Sequence, residues 1–247
     1  MVSIDNVYQK VLALANKEQR GYITPQEFNL FADHAQKEIF NQYFYDLEQI
    51  QRGVGNSLNY ADKQFGIEEK ISHFEIYDEV GALSTDFGSV FLPDNVYKLG
   101  MVRVDYDLPE VKSGFVEAER IQLNELNSIS SPLTSWNKKR PVYTIYGDST
   151  NFSGNRLRVY PYPVPPDRVL LSYIRKPKKP NWTYVISNKA ALYSPYQNDH
   201  QSFELHSSEE NNLVIKILQL AGVAIKDFNL SQAAAAKEAN TIQQEKQ

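Results

Sequence analysis

Cysteine is absent from the 247 residues. That removes disulfides, thiolate nucleophiles and cysteine-rich zinc sites together, so the chain must hold by packing and association. Methionine and tryptophan are scarce, with 2 of each. The longest strongly apolar stretch, Leu213 to Ile225, is 13 residues and already contains Lys216 and Gln219, short of the ~20 a bilayer requires. The opening Met1-Val2-Ser3-Ile4-Asp5-Asn6 has no basic patch leading into an apolar run, so no secretory signal is expected and the chain reads as made in the cytoplasm, with no membrane partner. The sequons at Asn151 and Asn181 are then chance matches. No G-x-S-x-G elbow, Walker A loop, G-x-G-x-x-G or H-E-x-x-H occurs, which argues against the commonest hydrolase, nucleotide-binding and zinc-protease designs.

Apolar residues make up 42% and charged residues 23%, the balance of a folded chain rather than a disordered one. Sixteen Tyr and twelve Phe suit strand faces and contact surfaces, where an amphipathic ring serves both sides. The net charge of −4 hides a division. Gln26 to Asp86 carries twelve acidic against four basic residues, a balance of −8; Lys138 to Lys179 carries ten basic against two acidic, a balance of +8. Such asymmetry marks either a nucleic-acid patch or complementary faces that meet on assembly.

Ile4, Val7, Val11 and Leu14 recur at helical spacing behind Ser3, predicting a short amphipathic helix over Ile4 to Asn16. A stronger start signal follows: Thr24 as N-cap, Pro25 at the first helical position, Glu27 completing a capping box, and Ile23 with Phe28 as a hydrophobic staple. Phe28, Phe31, Ala32, Ala35, Ile39, Tyr43, Leu47 and Ile50 then predict one helix of about 39 Å. Between Gly53 and Gly66 the period is lost, and a connector or a short frayed helix is expected. From Ile71 to Tyr184 short β-branched and aromatic runs separated by Pro, Gly, Asn and Asp predict antiparallel strands. In Arg156-Leu157-Arg158-Val159-Tyr160 the alternation puts Leu157 and Val159 inward and Arg156, Arg158 and Tyr160 outward. Glu117 to Asn127 reads as a helical insertion. Ser207 with Glu210 reads as a second capping box opening a helix apolar almost all round, from Leu213 to Ile225, which needs partners on more than one side. Ser231 to Gln247 reads as a last polar helix.

These readings give an α+β fold in which terminal helices form a bundle around an inserted antiparallel β-sandwich-like domain. The expected division is a helical part over residues 1–70, a β-rich domain over 71–200 and completing helices over 201–247.

Chemistry-bearing residues are sparse. His34, His73, His200 and His206 are scattered, with no ligand spacing, so no metal and no other cofactor is expected. Glu68-Glu69, Asp78-Glu79 and Glu209-Glu210 are adjacent acids. Adjacent residues do not flank a sugar bond, and a carbohydrate-active tail enzyme is therefore the weakest reading. Asp148 to Gly154 fits a β-turn better than a calcium loop. Lys138-Lys139-Arg140, Arg156, Arg158, Arg168 and Arg175-Lys176-Pro177-Lys178-Lys179 interleave with Tyr143, Tyr146, Tyr160, Tyr162 and Tyr173. That mixture fits a nucleic-acid surface by stacking and phosphate contact. It fits better a face that docks an acidic protein neighbour.

Ile23-Thr24-Pro25-Gln26-Glu27-Phe28-Asn29-Leu30-Phe31 leading into a long aromatic helix resembles the opening of virion structural proteins of short-tailed, crAss-like bacteriophages and their relatives. Phe91 to Leu99, Arg140-Pro141-Val142-Tyr143, Leu157 to Pro161, and Leu171 to Pro177 resemble that group's β-domain, and Glu209 to Asp227 its C-terminal helix. The resemblance implies a non-enzymatic subunit of the head-to-tail connector or tail, assembled as a homo-oligomeric ring, commonly of twelve. Such a ring docks to the portal protein and other tail rings and encloses the channel through which genomic DNA passes without sequence-specific binding. It implies no catalytic, cofactor or metal residues, and a place in the virion neck or tail. The segment from Pro180 to Phe203 is longer than that pattern needs.

For the contacts between copies, the sequence offers Phe31 and Tyr43 on the long helix and Leu213, Ile217, Leu220 and Ala224 on the apolar one. Arg140, Arg156, Arg158, Arg175 and Lys176 are the candidates from the basic segment. A cationic lumen would retain phosphates, so this segment is expected to meet acidic protein surface while neutral or acidic side chains line the channel.

Overall fold

A computed structural model of the chain describes residues 1–17, 23–52, 58–83, 89–106, 114–126, 129, 135–147, 155–163, 168–187, 190–224, 236 and 239. The elements run α1 (Ile4–Lys17), α2 (Pro25–Arg52), α3 (Leu58–Ser72), β1 (Glu75–Val80), β2 (Ala82–Leu83), β3 (Ser89–Phe91), β4 (Val96–Asp105), β5 (Phe115–Glu117), β6 (Glu119–Arg120), β7 (Val142–Gly147), β8 (Asn155–Tyr160), β9 (Arg168–Arg175), β10 (Tyr184–Ser187), β11 (Ala190–Tyr193), a 3-10 turn (Ser207–Glu209) and α4 (Glu210–Ala224). The fold is α+β. It divides into two compact units, one of residues 1–73 with 177–247 and one of 74–176. Residues 177–200 therefore join the helices rather than the β-region, because Trp182 and the hairpin β10–β11 pack there. The loop at 148–154 and most of the expected last helix lie outside the described residues; Ala236 and Ala239 are helical.

In the first unit the start of α2 is built as its sequence predicts. The Thr24 amide donates to Glu27 Oε2 at 2.9 Å and the Glu27 amide donates to Thr24 Oγ1 at 3.3 Å, satisfying donors that a bare helix end leaves open. The Thr24 amide and hydroxyl hold the Glu27 carboxyl below its ordinary range. Ile23 and Phe28 are both buried beside this cap. Helix α3 begins at Leu58, so of the two readings of this segment the helix is the one that forms, and it runs on to Ser72. Helix α4 packs on α1 and α2. Leu213 and Ile217 are 0% exposed, each contributing roughly 1.5–3 kcal/mol by burial. The partners that an all-round apolar helix requires are thus supplied by this chain's own helices.

The second capping box is not formed. His206 caps the 3-10 turn through Nδ1, which accepts from the Ser208 amide at 3.3 Å. The neighbouring acid Glu209, 3% exposed, turns inward to meet Lys70 Nζ of α3 at 2.6 Å and Asn212 Nδ2 at 2.8 Å. A buried carboxylate is tolerable because both oxygens are engaged.

The Pro180–Phe203 segment has its own frame. Trp182, 2% exposed, donates from Nε1 to Asp5 at 3.0 Å and from its amide to Asn29 at 2.8 Å. Tyr184 and Tyr193, cross-strand partners at the root of the hairpin, stack on its indole at 5.7 and 5.8 Å. Past that root Val185, Ile186 and Leu192 are exposed.

The second unit holds two sheets, ordered β1-β9-β4-β5 and β2-β3-β8-β7-β6. Every pairing is antiparallel except β6 with β7. The inward rows of both sheets merge in one buried cluster: Val102, Val104, Val169, Leu171 and Tyr173 from the first, Val90, Tyr143, Leu157 and Val159 from the second. Gly81 donates to the Val169 carbonyl at 2.8 Å, and a Cβ at this position would lie 2.4 Å from a Val90 methyl, so the close approach requires glycine. The expected helix over Glu117 to Asn127 is absent. Phe115–Glu117 pairs with β4 and Glu119–Arg120 pairs with β7, and a single turn follows in which the Gln122 amide donates to the Glu125 carboxylate at 3.1 Å. Sheet pairing overrides the local helical preference of a glutamate-rich run.

Candidate interaction face

Period-two alternation across β3, β8 and β7 decides what the outer face of the five-stranded sheet presents. Register places Phe91, Arg156 and Tyr146 in one row, and Ser89, Arg158 and Thr144 in the next. Their neighbours Val90, Leu157, Ile145 and Val159 face the core. At the far end of this outer face Val142 and Tyr160 are covered by Ile121, Leu126, Ile129 and Trp136, with the Trp136 and Tyr160 rings 5.6 Å apart. The near end, with both arginines, is half-exposed.

The two guanidiniums lie on rings. Arg156 is 4.5 Å from the Phe91 centroid and Arg158 4.9 Å from that of Tyr146, its diagonal neighbour. Each such contact is worth about 0.5–1 kcal/mol at a partly exposed site. Arg158 also donates to the Tyr146 hydroxyl at 3.5 Å. Burial works against its charge, and the hydroxyls of Tyr160 and Tyr146 outweigh it, holding the group above its ordinary value. Tyr162 packs 5.2 Å from Tyr160 and continues the aromatic surface.

Among the described residues no carboxylate pairs with Arg158. Its Nε and the hydroxyl of Thr144, 1% exposed, have no hydrogen-bond partner there. Arg103 on the other sheet differs: it lies 5.8 Å from the Phe115 ring and also pairs with Asp78. The outer face is therefore an arginine–aromatic surface with unspent capacity for an anionic or hydrogen-bonding partner.

The remaining candidates disperse. Leu213, Ile217 and Tyr43 are buried within the helical unit, and Lys70 lies 5.6 Å from the Tyr43 ring. Buried side chains cannot meet a neighbour, so these three are withdrawn as contact residues. Phe31 and Leu220 are half-buried, and the Ala224 side chain lies outside the described residues. Arg140 pairs with Glu119 at 3.2 Å, both well exposed. Arg175 and Lys176 end β9 on the four-stranded sheet, Arg175 at 5.6 Å from the Phe74 ring and the Lys176 amide donating to the Asn95 carbonyl at 2.7 Å. Of the basic candidates, only Arg156 and Arg158 share the outer face.

Two surfaces escaped the sequence reading. One is the exposed end of the β10–β11 hairpin, signalled by the β-branched run from Thr183 to Ile186. The other is α3, where Phe65 is 68% exposed. An open groove in the helical unit, lined by Gln26, Asn29, Asn181, Trp182, Tyr184, Ile186 and Gln197 among others, has no carboxylate, imidazole or cation among its described lining residues. Among the described residues no cluster of His, Asp or Glu could hold a metal ion, and no helix is long and apolar enough to cross a membrane. The sequence matches no described protein family and no curated protein.

Proposed function

We propose that this chain is a non-enzymatic virion subunit that assembles as a ring in the head-to-tail connector or tail of a short-tailed phage. It docks to the portal protein and neighbouring rings and encloses the DNA channel. In this reading the helical unit is a bundle of terminal helices, the β-rich unit is its sandwich-like insertion, and the copy number is twelve. The resemblance of the opening, the strand series and the C-terminal helix supports it. The observation that carries it is Arg158: a half-buried cation on an aromatic sheet face without a carboxylate partner among the described residues. A second protein surface completes such a face.

The test is the mass of the purified chain by sedimentation, alone and with portal, together with a protein inventory of purified particles. An oligomer present in particles supports the reading. A chain that stays monomeric in both conditions and is missing from particles sinks it.

The same face favours a second reading, in which the arginines take phosphates and Phe91, Tyr146 and Tyr162 stack bases. That reading expects single-stranded DNA retention that falls steeply with salt. Retention lost in R158M with assembly intact would select it.

A further inference from the structure

Helix α3 presents a surface of opposite character to the arginine face. Asp62, Phe65, Glu68 and Glu69 are all exposed. At 100° per residue they fall within about 120° of the helix circumference, an arc whose centre lies about 120° from the buried Ile71. Lys63 lies outside this arc, and Lys70 is occupied by Glu209. Among the described residues no cation pairs with Asp62, Glu68 or Glu69. The result is an exposed aromatic anchor framed by three carboxylates.

We infer that α3 of a second copy of this chain docks on the outer face around Arg158, with Phe65 on the surface of Phe91, Tyr146 and Tyr162 and a flanking carboxylate on the Arg158 guanidinium. Charge complementarity selects this occupant. One face carries rings and Arg158, which has no carboxylate partner among the described residues, the other carries an exposed ring and three carboxylates that no described cation pairs with, and both belong to the same polypeptide. Arginine engages a carboxylate through two parallel donors while its plane remains stacked on a ring, so the cation–aromatic contacts survive docking. The two surfaces lie on different units and are not alike. The contact is therefore heterologous: each copy gives one and receives one, and repetition closes a ring or extends a filament. This inference rests on the ring-subunit reading and adds to it which surfaces meet.

The experiment compares sedimentation of wild type, R156E/R158E, E68R/E69R, a 1:1 mixture of those two variants, and the chain carrying all four changes. Thermal melts establish that each variant is folded. Each reversed variant alone is expected to raise the midpoint concentration of assembly by about tenfold or more. In the mixture each variant's α3 complements the other's face, so assembly returns with the two variants alternating. The chain with all four changes regains assembly, because the charges are exchanged rather than removed. If wild type assembles and the reversed variants assemble equally well, or the fourfold exchange fails to restore assembly, this inference falls and the ring reading stands. If wild type stays monomeric and is missing from particles, both fall. If R156E/R158E assembles normally but loses single-stranded DNA, the face belongs to nucleic acid and the inference is overturned.

Discussion

The helical unit and the β-rich unit treat positive charge differently. In the first, Lys10, Lys70 and Lys216 each end on a carboxylate from another element, at 2.7, 2.6 and 3.0 Å. In the second, Arg103 and Arg140 also pair with Asp78 and Glu119, but Arg156, Arg158 and Arg175 lie over Phe91, Tyr146 and Phe74. A lysine closed by a carboxylate has little left to offer a neighbour. A guanidinium stacked on a ring keeps its edge donors for another molecule. The helical unit spends these lysines on holding itself together, whereas on the outer face of the five-stranded sheet Arg158 has no carboxylate partner among the described residues.

The comparison can be broken most severely at Lys70. K70A leaves Glu209 as a buried carboxylate without its cation, at a cost of about 3 kcal/mol. The expected fall in the melting midpoint of the helical unit is about 6–12 °C, measured by calorimetry. A change under about 2 °C would show that Glu209 finds water or protonates without penalty, and the contrast between the units would lose its basis. The β-rich unit sharpens the contrast: R158M gives up a ring contact and a long hydroxyl bond but no ion pair among the described residues, so it is expected to cost less than about 1 kcal/mol in the same measurement. A larger loss would mean that Arg158 is structural.

The smallest effect concerns a single phenol. Burial, reinforced by the hydrogen bond that Tyr173 donates to Glu79, pushes the Tyr173 pKa up to about 12. A raised folded-state pKa stabilises fully below the unfolded value near 10 and loses that contribution as pH climbs through 12. The β-rich unit is thus expected to weaken between about pH 10 and 12. Y173F should show a flatter decline in denaturant midpoint across that interval, and an identical decline would remove Tyr173 as its cause.

Sequence made visible what is local. Thr24 and Glu27 are three residues apart and their capping box forms as written; β8 alternates as its pattern demands. It misled where a partner distant in the chain decides. Glu119 and Arg120 become strand because Val142 and Tyr143 pair with them. Ser207 loses its capping role because His206 caps the turn, and Glu210, its expected partner, pairs with Lys10 of α1 instead. The apolarity of α4 measured how much of that helix must be covered, but not by whom, and α1 and α2 cover it. The arginine face was half legible. Alternation put Arg156 and Arg158 on one side, but the rings beneath them arrive through the register of three strands. Phe65 was hidden because a lone aromatic in a polar stretch carries no period.

The scarcity of indole has a practical consequence. Trp182 is sealed among Asp5, Asn29, Tyr8 and two stacked tyrosines of the helical unit, while Trp136 rests on Tyr160 in the β-rich one. Each unit thus carries its own built-in fluorophore, and W136F and W182F silence one at a time. Emission spectra recorded along a urea ramp then report whether the two halves of the molecule come apart in a single step or in succession, without any added dye.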